Sequence, residues 1–345
     1  MKKKIKNLFL CMVLLLSSAC HQTAQISHTS TVLFALDTVI TTDIYGDQAM
    51  NTADQLETLV RDMEHSLSRT LPDSPVYALN HQIKEQNDEI LALIREAFRY
   101  NTMTEGAFDI TIAPVADLWG FTRDEFRIPG QNEITEALTH VGMDHIHIEN
   151  DRIILDPGTA IDLGGIAKGL AVEQAYALFK RNNILSGTAS FGGDISIYGS
   201  KPDGKPWRIG IQDPLDPQNN GHSAATVSLS DSYILTSGNY QRYFMQDGIR
   251  YHHIIDPHTG IPAMNELMSV TIIAPAEKSR GILCDALSTG LFILGKEKAI
   301  DCWKNHSDLF QMILITSDQQ IFYTEGLQDI IEFPVSSPYQ NIVIR

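Results

Sequence analysis

The chain has 345 residues, 42 of them acidic and 26 basic, so its formal charge is −16, and 43% of its side chains are apolar. This length can bury a sizeable hydrophobic core, and the apolar content argues against a disordered chain. The acidic balance excludes a sequence-independent nucleic-acid binder, because such proteins neutralise phosphates with Lys and Arg. An anionic ligand would therefore need a local cation in its site.

The first nineteen residues have the pattern of an export signal. Four lysines within the first six residues precede an apolar stretch over 8–16, which is too short to span a bilayer. Small residues then lead to Cys20, which resembles the acylation site of bacterial lipoproteins; ordinary cleavage, with Cys20 lost or free, is the alternative. We expect a signal peptide over 1–19, a tether over 20–31 that is lipid-anchored through Cys20, and one domain over 32–345. Such a protein would lie on the periplasmic side of a bacterial membrane.

Hydrophobic periodicity predicts the first elements of this domain. The pattern indicates strand over 32–45, a helix over 48–67 and a second helix capped by Asn87. A hairpin is predicted over 145–156, with Asn150-Asp151 at its turn. Gly164-Gly165 then begins a helix that runs to about Lys180.

The remaining elements are mostly short strands. The predicted strands cover 189–197, 207–212, 226–229, 233–236, 251–255 and 269–274, followed by a helix over 279–294 and a hairpin over 312–323. Because strands do not alternate regularly with helices, we expect a mixed α+β fold, with largely antiparallel sheets packed with helices. P-loop and dinucleotide-binding glycine motifs are missing from the sequence.

Two segments carry glycines beside groups that could bind a cofactor. In 105–111, small residues beside Phe108 and Asp109 could admit a flat ring; a turn with a packed Phe and a capping Asp is the alternative. In 161–169, the glycines at a strand-to-helix junction would expose N–H groups to phosphate, and Lys168 would supply the cation. A plain helix start with a surface lysine is the alternative there.

Two later segments carry groups for proton transfer and metal binding. In 251–260, alternation places His252 on one strand face and His253 on the other, and a histidine at a strand end can take a proton from an attacking hydroxyl. A purely structural role for each histidine stays open. Asp285 and Thr289 are one helical turn apart, a spacing that suits Mg²⁺. The alternative is a threonine bonded to its i−4 carbonyl and an exposed aspartate.

Six segments, taken in chain order, resemble the ApbE family of FAD:protein FMN transferases. They are GAFDITIAPVADLWGF (106–121), AIDLGGIAKGLAVE (160–173), SFGGDISIYG (190–199), TSGNYQRYF (236–244), HHIIDPHTGIP (252–262) and CDALSTGLFILG (284–295). Members of this family are similarly exported, often as lipoproteins. The sequence departs from the family at Leu36-Asp37, where Met-Gly is common, at Thr70, where Tyr is common, and over 74–80, which lacks the acidic residue usual after the Ser. These departures could alter how FAD is held.

The resemblance implies a Mg²⁺-dependent reaction on FAD. A Thr or Ser hydroxyl of a partner protein would attack the FAD pyrophosphate, so that FMN becomes phosphoester-linked and AMP leaves. It assigns Mg²⁺ to Asp285, Thr289 and the backbone carbonyl of Gly165, and activation of the hydroxyl to His253. It assigns FAD contacts to Ala107, Phe108, Asp109, Asp162, Lys168 and Ile255.

The resemblance also implies the kind of partner. Acceptors would be exported flavoprotein domains, such as subunits of Na⁺-pumping NADH:quinone reductase or of Rnf-type complexes. Two alternatives stay open at this point: an FAD pyrophosphatase that forms FMN and AMP with water as the acceptor, and a non-catalytic FAD-binding lipoprotein.

Overall fold

A nine-stranded sheet forms the centre of this computed structural model, which describes residues 26–83, 87–122, 125–216, 218 and 223–345. The strand order is β1-β2-β5-β6-β9-β12-β13-β14-β16, and every neighbouring pair is antiparallel except β14 and β16. The strands are β1 (His28–Ala35), β2 (Thr38–Tyr45), β5 (Ser186–Phe191), β6 (Asp194–Tyr198), β9 (Ser232–Gly238), β12 (Leu267–Pro275), β13 (Gln311–Thr316), β14 (Gln320–Thr324) and β16 (Gln340–Ile344).

Three smaller antiparallel sheets surround it. They are formed by β3 (Ile146–Glu149) with β4 (Arg152–Leu155), by β7 (Trp207–Gln212) with β8 (Ser223–Leu229) and β15 (Ile331–Glu332), and by β10 (Tyr243–Gln246) with β11 (Ile249–His252). The helices are α1 (Ala49–Leu67), α2 (Pro75–Asn80), α3 (Asp88–Met103), α4 (Ala113–Trp119), α5 (Gln131–Leu138), α6 (Gly164–Arg181), α7 (Arg280–Leu294) and α8 (Lys296–Asn305). The predicted mixed fold with largely antiparallel sheets is confirmed.

The large sheet is buried on both faces over its central strands. On one face, α1, α6 and α7 pack their apolar sides against it, with Leu56, Ala171 and Leu287 buried among the strand side chains. On the other face, β7, β8 and β15 cover strands β6 to β14. Helices α6 and α7 therefore lie side by side on one layer, which is what places the functional residues together.

Local sequence signals correspond well to the observed elements. The Asn87 side chain accepts hydrogen bonds from the backbone N–H groups of Glu89 and Ile90, as predicted for a helix cap. Asn150 and Asp151 adopt φ values of 49° and 62°, which fit the tight hairpin turn expected there.

Several boundaries differ from the predictions, and the strand predicted over 32–45 is two strands, β1 and β2, that reverse at Leu36-Asp37. The segment 189–197 is two strands, β5 and β6, that reverse at Gly192-Gly193, where φ is 67° and 103°. Such values favour glycine, so this pair ends a strand that the apolar pattern alone extends. Strand β11 ends at His252 rather than at residue 255, and β1 begins at His28, four residues before the predicted domain.

The predicted leader and Cys20 lie outside the described residues. Within the part of the chain that the structure describes, no helix combines the length and hydropathy that crossing a bilayer requires. Cys284 and Cys302 are free, buried thiols.

Candidate functional site

Helices α6 and α7 cross at two glycines, and the residues of the candidate site lie next to this crossing. A Cβ atom on Gly169 would lie 2.6 Å from the carbonyl oxygen of Gly281 and 2.9 Å from Asp285 Cβ. A Cβ atom on Gly281 would likewise lie 2.5 Å from the carbonyl oxygen of Gly169. Because no side chain fits at either position, the backbones approach closely enough for α7 to reach polar groups of α6.

The crossing directs Asp285 at the first turns of α6. Its Oδ2 accepts a hydrogen bond from the backbone N–H of Gly169 at 2.8 Å. In an α-helix that N–H points toward the carbonyl four residues earlier, here Gly165, so the carboxylate and this carbonyl approach the same point. Asp285 is only 3% exposed, and burial raises its pKa to about 6 against the opposing charge of Lys168. The exposed aspartate expected as the alternative is therefore wrong.

Phe108 connects the start of α6 to the turn of α7 that carries Thr289. A Cβ atom on Gly165 would lie 3.0 Å from Phe108 Cε2, and one on Gly290 would lie 3.1 Å from Phe108 Cβ. Thr289 Oγ1 itself lies 3.1 Å from Ser237 Oγ of β9. Phe108 thus packs between the start of α6 at Gly165 and the turn of α7 that carries Thr289.

Lys168 is held by Asp194, a residue that the sequence analysis missed. The Lys168 ammonium forms an ion pair with Asp194 Oδ2, while Asp194 Oδ1 accepts a hydrogen bond from the backbone N–H of Thr236 at 2.8 Å. Although burial acts in the opposite direction, the charges of Asp194 and Asp285 raise the pKa of Lys168, which is therefore protonated at neutral pH. The lysine is not a plain surface residue, since its side chain is only 30% exposed.

Asp162 and Asp109 fix the local backbone. Asp162 accepts a hydrogen bond from the Gly164 N–H at 2.8 Å and pairs with Arg69 Nε at 2.9 Å, so it anchors the start of α6 to the end of α1. Asp109 accepts hydrogen bonds from the N–H and hydroxyl of Thr111, and burial raises its pKa. This is the capping aspartate expected as the structural alternative, and Phe108 is packed as that alternative requires. A cofactor contact from Asp109 or Asp162 stays a prediction.

His253 lies just beyond strand β11, with one ring nitrogen fixed by the backbone. Its Nδ1 donates to the carbonyl oxygen of Arg242 at 3.1 Å, which leaves Nε2 without a proton in the neutral ring. Burial is the main reason that the pKa of His253 falls to about 4, and the charges of His252, Lys168 and Arg242 act in the same direction. A neutral imidazole with Nε2 as an acceptor can take a proton from a hydroxyl group.

His252 and Ile255, on either side of His253, are both buried. His252 is 2% exposed, donates through Nε2 to the Ala263 carbonyl at 2.9 Å and accepts the Ile254 N–H at Nδ1. Ile255 is 5% exposed and forms an antiparallel bridge with Pro262. His252 is therefore the histidine of this pair that lies in the core with both ring nitrogens hydrogen-bonded.

Asp285 and its neighbours offer oxygen atoms, the ligands that hard cations such as Mg²⁺ prefer. Among the described residues, no group of three or more His, Cys, Asp or Glu side chains is arranged to hold a metal ion. Asp285, Thr289 and Gly165 instead offer a carboxylate, a hydroxyl and a backbone carbonyl, and Mg²⁺ binds through a few such oxygens together with water and phosphate. The residues present therefore fit Mg²⁺. A separate groove of about 500 Å³ between α1 and α6 is lined by none of the predicted site residues.

Two of the departures from the family pattern lie at the β1–β2 turn and just after α1. Leu36 and Asp37 form the β1–β2 turn with φ values of 52° and 56°, and the Leu36 N–H donates to Glu64 Oε1 at 2.7 Å. Thr70 is exposed, just after the end of α1. Both positions neighbour residues of the candidate site, since Thr38 lies against Gly192, close to Asp194, and Arg69 pairs with Asp162.

Comparison with known proteins identifies the family of this chain. The chain belongs to the ApbE family, whose sequence model matches residues 36–314. It is 33% identical over 272 residues to a FAD:protein FMN transferase of Vibrio cholerae serotype O1, which is 76% of this chain and 79% of that protein.

Solved structures confirm the fold. The ApbE protein of Thermotoga maritima has a TM-score of 0.80 at 32% identity, covering 88% of this chain and 99% of that one. The flavin transferase ApbE of Vibrio cholerae has a TM-score of 0.77 at 27% identity, covering 89% of this chain and all of the other.

Proposed function

We infer that this protein is an FAD:protein FMN transferase, which moves FMN from FAD to a Thr or Ser hydroxyl of a partner protein and releases AMP. The observation that carries this inference is the meeting of α6 and α7, which brings the buried Asp285 carboxylate to the same turn of α6 as Lys168. His253 is held by the Arg242 carbonyl with its Nε2 unprotonated in the neutral ring. Membership of the ApbE family supports the same activity.

Asp285, Thr289 and the carbonyl of Gly165 would hold Mg²⁺. When bound there, the ion would neutralise pyrophosphate charge and stabilise the charge that develops on departing AMP. The protein holds two of these side chains in place: Asp285 is hydrogen-bonded to the Gly169 N–H, and Thr289 to the Ser237 hydroxyl. Fixed ligands of this kind need little reorganisation when the substrate reacts.

His253 would act as the base. Its Nε2 accepts the proton of the acceptor hydroxyl as that oxygen bonds to the FMN-side phosphorus and the bond from this phosphorus to the AMP oxygen breaks. The Arg242 carbonyl holds the ring in the tautomer that this step requires. A base in this position contributes roughly 10²–10⁴-fold to a rate.

Lys168 would supply the cation that an anionic substrate needs in so acidic a chain. Asp194 directs its ammonium, and neighbouring Asp162 fixes the glycine turn that begins α6. We propose that FAD lies along this turn, in contact with Lys168 and Asp162. The buried segment of Ala107, Phe108 and Asp109 and the bridge at Ile255 would complete its site.

The leader pattern supports export, with Cys20 as the lipid anchor on the periplasmic side of a bacterial membrane. The acceptor would then be an exported flavoprotein domain, such as a subunit of Na⁺-pumping NADH:quinone reductase or of an Rnf-type complex. Labelling with a radioactive fatty acid, compared between the wild type and Cys20→Ala, tests the anchor directly.

A single incubation separates the activities. Purified protein is mixed with FAD, Mg²⁺ and the acceptor domain of such a subunit, and the acceptor is denatured and examined for flavin fluorescence. Fluorescence that stays on the acceptor, and that a metal chelator abolishes, is the expected result. FMN released into solution at the same rate without acceptor identifies a pyrophosphatase instead, and intact FAD identifies a binding protein.

A further inference from the structure

An aromatic surface extends from His253 along the β10–β11 hairpin. The rings of Phe121 and His253 pack edge to face at 6.4 Å between centroids, and Phe121 also contacts Phe244 at 5.9 Å. Phe244 stacks on Phe126 at 5.4 Å on one side and on Tyr251 at 5.3 Å on the other. We call Phe126, Phe244, Tyr251 and the adjacent Ile249 the aromatic platform.

The strand register places the platform on the same side of the hairpin as His253. Phe244 pairs with Tyr251 and Gln246 pairs with Ile249, and side chains two residues apart share a face. His253 follows Tyr251 by two residues and keeps a backbone bond to Arg242, so it continues this face. The platform therefore leads directly to the group proposed to activate the acceptor.

The platform is held in place although part of it is exposed. Phe126 is 40% exposed and Ile249 is 49% exposed. The backbone on either side of Phe126 is bonded to the end of α4, through Glu125 N–H to Gly120 O at 3.1 Å and Arg127 N–H to Trp119 O at 3.4 Å. Trp119 in turn stacks on Tyr251 at 5.6 Å. Apolar side chains that are both exposed and preorganised are typical of binding surfaces.

The proposed reaction determines what must cover this surface. An acceptor hydroxyl has to come within hydrogen-bond distance of His253 Nε2, and the residues that flank it on the acceptor chain must cross the surface around this histidine. We propose that the aromatic platform is the docking surface for the acceptor protein, and that it takes apolar side chains flanking the acceptor Ser or Thr. This inference rests on the proposed transferase activity. The platform residues carry no charge, so they offer contact area without repulsion in an otherwise acidic chain.

The test compares two double variants that remove similar atoms from exposed positions. Phe126→Ser/Ile249→Ser alters the platform, whereas Phe34→Ser/Ile154→Ser alters an exposed phenylalanine of β1 and an exposed isoleucine of the β3–β4 hairpin. We expect the platform variant to lose about tenfold or more in kcat/KM for the acceptor domain of an Rnf-type subunit. Its Kd for FAD, measured by calorimetric titration, should stay within about twofold of the wild type, as should both properties of the control.

Each contrary result has a distinct meaning. Equal transfer by both double variants would overturn the docking surface while leaving the transferase activity intact. A weakened Kd for FAD in the platform variant would assign the aromatic rings to the flavin instead. Loss of an oligomer in size-exclusion chromatography, with transfer unchanged, would assign them to a second copy of this chain. A wild-type protein that transfers no FMN would overturn the proposed function itself.

Discussion

Asp285 and Gly169 are 116 positions apart in the chain, yet the carboxylate of one accepts the backbone N–H of the other at 2.8 Å. This bond joins the two helices that carry the proposed Mg²⁺ ligands. The bond forms only because glycines at the helix crossing let the two backbones approach. It also requires a buried carboxylate, which the sequence around Asp285 does not predict.

Asp285→Asn tests the charge without removing the contact. The amide oxygen can still accept the Gly169 N–H, but the variant has no negative charge for a cation. We expect FMN transfer to fall by about 100-fold or more at Mg²⁺ concentrations that saturate the wild type. The far-UV circular dichroism spectrum should stay unchanged.

The matched control for this variant is Asp231→Asn. Asp231 also accepts a backbone N–H, that of Gly199 at 2.8 Å, but it lies in the exposed turn between β8 and β9 and is bonded to the Tyr176 hydroxyl rather than to the first turns of α6. The control should transfer FMN normally. Normal Mg²⁺-dependent turnover by Asp285→Asn would show that the metal ligands are assigned wrongly.

The acid limb of the pH profile tests His253. Because burial lowers its pKa to about 4, the ring stays neutral well below the ordinary histidine value of about 6.5. At saturating Mg²⁺, we expect kcat/KM for transfer to be kept at pH 5.5 and to fall only nearer pH 4. His253→Gln should lose about 10²–10⁴-fold in rate, while the exposed His81→Gln keeps the wild-type profile. A fall in kcat/KM centred at pH 6.5 would contradict the lowered pKa of His253 as the base.

The same lowered pKa predicts a stability effect with a defined sign. Between about pH 6.5 and pH 4 the unfolded chain binds a proton at His253 that the folded chain does not. The stability that this group contributes is therefore complete above pH 6.5 and is lost as the pH falls through that window. His252, whose pKa burial also lowers to about 4, acts in the same direction. Urea unfolding at pH 7.5 and pH 5, for the wild type and His253→Gln, should show a smaller loss in the variant.

Gly169→Ala tests the helix crossing. The new methyl group would meet backbone atoms of α7, with Gly281 O at 2.6 Å and Ile282 Cα at 2.7 Å, so one helix has to move. We expect the free energy of unfolding to fall by about 1–3 kcal/mol, although alanine is the better helix former. Gly130→Ala is the control, since its methyl group would meet only a flexible Glu133 oxygen at 3.3 Å. Equal stability of the two variants would mean that the crossing tolerates a side chain.

A double-mutant cycle tests the Lys168–Asp194 pair. Asp194 is 2% exposed, so Lys168→Met leaves a buried carboxylate without its cation and should destabilise the protein by about 1–3 kcal/mol. Adding Asp194→Asn removes that charge, so the double variant should lose less than the sum, with a coupling of about 0.5–3 kcal/mol. The exposed Lys298–Glu105 pair, at 2.6 Å, should give a coupling below about 1 kcal/mol. If the losses of stability caused by Lys168→Met and Asp194→Asn simply add, the two side chains do not interact energetically as the structure indicates.

Features that depend on neighbouring residues could be predicted from the sequence. The Asn87 cap and the Asn150-Asp151 turn use side chains and backbone conformations within a few residues, and both were found where predicted. The start of α6 at Gly164 followed from the same kind of local signal. The mixed architecture followed from the order of such elements.

Features that depend on distant partners could not be predicted in this way. Asp194 is defined by Lys168 of α6 and by Thr236 of β9, and the apolar pattern around it joined two strands into one. The Gly192-Gly193 pair could have indicated the turn between β5 and β6, which places Asp194 next to Lys168. Arg69 has no local signature at all, because its role comes from Asp162 and Asp117, far along the chain.

The glycine crossing also bears on biosynthesis. Ribosomes make α6 well before α7, so a nascent chain that stops short of residue 280 has the lysine and the glycine turn but lacks the carboxylate that completes them. If Mg²⁺ and FAD bind as proposed, we expect their full affinity only after α7 docks, because Asp285 and Thr289 are carried by that helix.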